Sequence, residues 1–201
     1  MHYHYIDIGT SNFNTSAEFA KSDPSINVLL VEPLDFYLDS LKGNNVKLCN
    51  CAISDIEGTS IIYFLPEEYI EKTFPMPDKN WLKGCNKLDE PHQLVLLELQ
   101  QLSIDPRVIH QQEIKKITFD TLCNEFDITS IGRLQIDTEG YECLILPSII
   151  QKIKNGMKIK SLFIENNNNS DTIKMEKLFT QFTELNYTRV NYQYDVELSL
   201  T

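Results

Sequence analysis

The apolar positions of this chain fall into short continuous runs, with helical patches and polar turns between them. Met1 to Asn14 opens with a short alternating strand whose β-prone bulk is Tyr3, Tyr5 and Ile6, closed by Asp7-Ile8-Gly9. Thr10, Ser11, Asn12 and Asn14 then offer capping oxygens to a short helix over 15–20, which Asp23-Pro24 ends. Asn27 to Val31 (NVLLV) is a compact apolar run stopping at Glu32-Pro33, the pattern of a parallel strand buried on both faces. Leu34, Leu38 and Leu41 keep helical spacing up to Gly43-Asn44, and Val46 to Ile53 makes a third strand. This β-α-β-α-β order is complete within the first ~55 residues and is one half of a doubly wound α/β sheet.

The alternation then breaks. Thr59 to Leu65 predicts an added edge strand. Pro66 to Gln112 carries Pro66, Pro75, Pro77, Pro91 and Pro106, and only His92 to Leu102 looks helical within it. A long irregular insertion at about 66–112 reads either as a lid or substrate-recognition segment, or as a surface excursion with its own apolar plug. Its Tyr69, Phe74 and Trp81 suit stacking on a sugar ring or closing over a cofactor, and equally suit that plug.

Regularity returns at Ile114. Thr118 caps a helix to about Phe126, and Gly132 to Ile136 is a strand followed by Asp137-Thr138-Glu139-Gly140. A helix opens at Tyr141 and continues through Pro147 to Ile153. Ile159 to Ile164 is the next strand, ending at Glu165, with a loop over Asn166 to Asn169. A helix over about 171–185 leads into Tyr187 to Tyr192 and Val196 to Leu200, a closing antiparallel pair. No repeat or second domain interrupts 1–201.

Composition narrows the function class. A chain of 201 residues with 42% hydrophobic content suits one globular domain with a real core. Its net charge of −11 argues against nucleic acid and anionic membranes as partners. Lys152, Lys154, Lys158 and Lys160 read as a solvated helix end. No apolar run reaches membrane-spanning length, and no signal-peptide pattern precedes the first strand. The cysteines Cys49, Cys51, Cys85, Cys123 and Cys143 are scattered without a CxxC pair, which predicts reduced, buried thiols and a cytoplasmic setting.

The chemistry is carried by acids. Asp7, Glu32 and Asp137 all sit at strand ends on one predicted sheet edge, where open α/β sheets bind ligands. Glu32 ends the second strand, where a carboxylate accepts both hydroxyls of an adenosine ribose. The turn lacks the G-x-G-x-x-G of pyrophosphate binding: after Gly9, Ser11 and Phe13 stand where further glycines are expected. A phosphate-free adenosyl cofactor, S-adenosylmethionine, fits better, and its cationic centres suit Asp7 and Asp137. Asp137 and Glu139 are the general-base candidates, with Glu142 one helix turn on. The same carboxylates suit a divalent cation, or simply a helix start. His92 and His110 are secondary base candidates, while His2 and His4 belong to the opposite end of the sheet. A nicotinamide-dependent oxidoreductase and a catalytically silent binding or scaffold module are the alternatives.

Several strings carry a resemblance: Tyr5-Ile6-Asp7-Ile8-Gly9, Val31-Glu32-Pro33, Cys51-Ala52-Ile53-Ser54-Asp55 with Gly58, Thr121-Leu122, and above all Leu134 to Glu142 (LQIDTEGYE). Over about 3–164 the chain resembles the FkbM-like family of S-adenosylmethionine-dependent methyltransferases. After the first glycine that family commonly reads A-N-x-G, where this chain has Thr10-Ser11-Asn12-Phe13. The resemblance implies a class I methyltransferase (Rossmann-like) three-layer α/β sandwich, with a mostly parallel sheet and an antiparallel last strand. It implies O-methyl transfer to a hydroxyl of a sugar, nucleotide sugar or related small metabolite. It also implies cofactor contacts by position: Gly9 at the methionine end, Glu32 at the ribose, Ala52 and Ser54 beside the adenine, and Asp137 facing the methionine moiety or the reacting centre, with Asp7, Thr10, Ser11 and Pro33 as further cofactor contacts.

Overall fold

The computed structural model describes residues 1–11, 16–74, 79–167 and 169–201. The expected caps Asn12 and Asn14, the departure at Phe13, and Pro75 and Pro77 of the insertion lie outside the described residues. The chain separates into two units, one formed by 1–58 with 116–201 and one by 59–115.

The first unit is built on seven strands. β1 (His2–Ile8), β2 (Val28–Val31) and β3 (Val46–Cys49) come from the N-terminal half, and β8 (Ser130–Ile136), β9 (Lys158–Glu165), β10 (Tyr187–Asn191) and β11 (Asp195–Leu200) from the C-terminal half. Their order is β10-β11-β9-β8-β1-β2-β3. β1 pairs in parallel with both β2 and β8, and β8 in parallel with β9. β11 runs antiparallel to both β9 and β10, as the closing pair predicts.

Period-two alternation directs Ile6, Ile8, Leu29, Val31, Leu134 and Ile136 into one buried cluster. Three helices also contribute to it: α5 (Phe119–Glu125), α6 (Glu142–Lys154) and α7 (Thr172–Glu184). Val28 and Leu30 point to the other face and pack with Ala17 and Ala20 of α1 (Ser16–Ser22) and Leu38 of α2 (Asp35–Leu38). Two buried faces explain why β2 reads as an unbroken apolar run. Pro147 lies inside α6 without ending it.

Two expected elements differ. The helix from Leu34 is the single turn α2 followed by a 3-10 turn over Asp39–Leu41. The third strand is also shorter. Asn50 interrupts it, and Ala52–Ser54 forms a separate strand, β4, parallel to Lys116, Ile117 and Thr118. Asn50 is diverted because its side-chain amide donates to the carbonyls of Glu32 (3.0 Å) and Pro33 (2.9 Å).

The second unit is more regular than its prolines suggest. It holds α3 (Glu67–Thr73), β6 (Lys87–Leu88), α4 (Gln93–Gln101) and most of β5 (Gly58–Phe64) and β7 (His110–Thr118). β5 and β6 pair antiparallel, and in strand order β5 lies between β7 and β6. Phe74 is a core residue here, packed with Leu65, Ile70, Leu82, Val95 and Leu99, so it is not available for ligand stacking. His92 caps α4 by accepting the Leu94 N–H at 3.1 Å. All five cysteines are buried thiols outside any disulfide. Among the described residues no helix is long and apolar enough to cross a membrane.

Candidate functional site

Because β2, β1, β8 and β9 are parallel neighbours, their carboxyl ends form one edge. At the β1 exit the backbone is drawn tight: Gly9 N–H donates to the Val31 carbonyl at 2.9 Å and Asp137 N–H to the Ile8 carbonyl at 3.0 Å. Gly9 has φ +81°, and a Cβ there would stand 1.7 Å from the Asp137 carbonyl oxygen. The glycine is required by the joint between β1 and β8, a reason the sequence did not reveal.

The chain then turns at Ser11, itself left-handed at φ 47°. Its N–H donates to Glu32 Oε2 at 2.9 Å, while Leu34 N–H donates to Oε1 at 3.0 Å. Glu32 is only 3% exposed. Burial pushes its carboxyl up to about 7, against the two N–H donors, which favour the charged form. The hydroxyls of Thr10 and Ser11 are buried and have no partner among the described residues. A hydroxyl buried without a partner costs roughly 1–3 kcal/mol, and two such hydroxyls stand beside this acid.

Other expected cofactor residues are placed differently. Asp7 is buried and accepts the Ser16 hydroxyl, which ties β1 to the start of α1. Ala52 and Ser54 are buried within β4 rather than lying past the third strand, and Ser54 Oγ donates to Asp55 at 3.1 Å. Pro33 is half-buried beside Glu32.

Across β8 the acids cluster. Carboxylate oxygens of Asp137, Glu139 and Glu165 lie within 4.8 Å of one another. Glu165 Oε2 is buried without a donor among the described residues. Its neighbour is the Asp137 carboxylate, another acceptor. Burial and then the Asp137 charge drive Glu165 upward, which makes it the member of the pair that holds a proton and donates to Asp137. Asp137 is itself raised, by enclosure first and then by Glu139 and Glu142, with Asp195 adding to it. Its surface is nonetheless exposed. The oxygens are hard donors of the kind divalent cations take.

Glu142, by contrast, is saturated. It is fully buried and accepts from Thr138 N–H (2.8 Å), Thr138 Oγ1 (2.8 Å), Gly140 N–H (3.0 Å) and Ser170 Oγ (3.0 Å). It therefore shapes the loop that carries Asp137 and Glu139. The loop after β9 supplies neutral donors. Asn167 donates to Glu165 Oε1 at 2.5 Å and Asn169 to Glu139 Oε2 at 2.8 Å. Gly140 is held against this loop, since a Cβ there would meet the Asn169 carbonyl at 2.7 Å. Glu165, Asn167, Asn169 and Ser170 were missed as site residues. The available signal was Glu165 itself, an acid closing a strand as Glu32 does.

The family model described as Methyltransferase FkbM domain matches residues 6–194. No curated protein matches the chain. Among solved structures, the precorrin-6y C5,15-methyltransferase from Geobacter metallireducens GS-15 is similar at 12% identity. The match covers 98% of this chain and 79% of that one, with a TM-score of 0.40.

Proposed function

We propose, since the chain belongs to the FkbM methyltransferase domain family, that it is an S-adenosylmethionine-dependent O-methyltransferase acting on a hydroxyl of a sugar or related small metabolite. Its seven-stranded sheet with an antiparallel strand is the class I methyltransferase arrangement. The observation that carries the cofactor assignment is the pair of buried, unpartnered hydroxyls on Thr10 and Ser11 beside Glu32. Glu32 would take the ribose hydroxyls and the Thr10–Ser11 turn the polar methionine end. When bound, the cofactor supplies an electrophilic methyl group.

The chain's own work is to hold and deprotonate the acceptor. In-line transfer needs the acceptor oxygen about 3–3.5 Å from the methyl carbon. Asp137 is the base in this reading, because it is the most exposed member of the cluster. The neutral Glu165 carboxyl donates to Asp137, which orients it and favours its ionised form. Glu139, pinned by Asn169, would steer the acceptor hydroxyl toward it.

Calorimetric titration with S-adenosylmethionine, S-adenosylhomocysteine and NAD tests the assignment. The two adenosyl ligands should bind and raise the melting midpoint, and NAD should not. Glu32→Ala should abolish the shift. Flat titrations with both adenosyl ligands would overturn the reading.

A further inference from the structure

We propose that the methyl acceptor is an amino sugar, its ring laid on Tyr192 and Tyr194 and its ammonium turned toward Asp195. This rests on the methyltransferase reading above and narrows its acceptor.

The turn between β10 and β11 stands at the same sheet edge as the acid cluster. Asp195 lies opposite Glu165 in the antiparallel ladder, and Asn166 N–H donates to the Tyr194 carbonyl at 2.7 Å. The turn is closed by Tyr192 N–H donating to the Asp195 carbonyl at 2.8 Å. It presents two large aromatic side chains to solvent, Tyr192 at 52% and Tyr194 at 58% exposed. Both hydroxyls are engaged, and the Tyr192 ring is also packed. Tyr192 packs on Phe163 with ring centroids 6.0 Å apart and donates its hydroxyl to Glu197 at 3.1 Å. The Tyr194 hydroxyl accepts from the Gln193 amide at 2.9 Å. Held aromatic rings offer flat apolar area at small entropic cost, which suits the apolar face of a pyranose.

Charge selects among sugars. Asp137, Glu139, Glu165 and Asp195 crowd this edge. Arg133, the guanidinium on this face, is already engaged, lying over Phe163 at 4.9 Å and 3.6 Å from Glu197. A phosphate-bearing nucleotide sugar would meet carboxylates with that cation already used. A protonated amine is attracted by the ionised carboxylates among these and by the faces of the tyrosines.

The test uses three probes on the full chain saturated with S-adenosylhomocysteine: methyl glucosaminide, methyl glucoside and UDP-glucose. Binding is followed by ligand-observed NMR, and methyl transfer by labelled S-adenosylmethionine. Methyl glucosaminide should bind best, and added salt should weaken it. Tyr192→Ala and Tyr194→Ala should each weaken it about five- to tenfold with S-adenosylhomocysteine affinity unchanged. Equal or tighter binding of the neutral glucoside or UDP-glucose overturns the proposal. So does indifference to both tyrosine substitutions, or no binding of the amino glycoside at millimolar concentration. Failure of S-adenosylhomocysteine to bind is read separately and counts against the methyltransferase assignment.

Discussion

Asn169 donates its side-chain amide to Glu139 Oε2 at 2.8 Å, so an acid in a left-handed turn is fixed by a neutral partner. A neutral donor orients the carboxylate without cancelling its charge. Asn169→Asp replaces that donor with a like charge while keeping its shape. Turnover should fall at least about tenfold, with cofactor affinity unchanged. Labelled methyl transfer read beside calorimetry decides this, and equal losses in both would assign Asn169 a merely structural part.

Glu142 shapes the loop rather than reacting. Removing it strands the Thr138 and Gly140 N–H donors in a buried place. Glu142→Ala should cost about 2–4 kcal/mol in urea unfolding, and Glu142→Gln clearly less. An unaltered midpoint in the alanine variant would show that the loop finds other partners.

Glu32 makes stability depend on pH. Its folded value of about 7 lies above the ordinary 4.5, so the folded state holds this proton more tightly than the unfolded chain. The stability it contributes is full below about 4.5 and is lost as pH rises through about 7. Between pH about 5 and about 8, wild type should therefore lose stability relative to Glu32→Gln, measured by urea midpoints. Cofactor affinity should move the opposite way, tightening over the same interval as Glu32 ionises to accept the ribose hydroxyls. A pH-independent affinity would remove Glu32 from the ribose site.

Gly9 and Gly156 make a paired test. Both have positive φ, but a Cβ at Gly9 meets the Asp137 carbonyl at 1.7 Å, whereas nothing lies within 4 Å at Gly156. Gly156→Ala should cost only about 1 kcal/mol. Gly9→Ala should cost more than about 3 kcal/mol, or prevent folding, because backbone on both strands must move. Similar thermal midpoints for the two variants would contradict the close β1–β8 joint.

Much of the frame was legible. The NVLLV run had to be a strand buried on both faces, since continuous apolar sequence exposes no solvent side, and β2 is that strand. Thr118 as a cap and the closing antiparallel pair were equally local, set by turn chemistry and alternation. The Val46 to Ile53 strand was misjudged because its break depends on Asn50 reaching the Glu32 and Pro33 carbonyls, a contact invisible in hydrophobic spacing. The proline-rich stretch was misjudged for a related reason. Its prolines mark boundaries between short elements, and the apolar cluster around Ile70, Leu82 and Leu99 holds those elements together.

The sequence by itself determined the strands, the acids that end them and the family, because periodicity and short motifs are local properties. Tertiary structure alone decided which acids meet. Parallel pairing of β8 with β9 brings Glu165 to Asp137, and the loop beyond it brings Asn169 to Glu139. It also separated two acids that look alike in the I-D-x-E-G-x-E string. Glu142 is sealed by four donors, while Asp137 keeps access to solvent. A carboxylate's chemistry follows from its neighbours and its water, and only the folded chain supplies those.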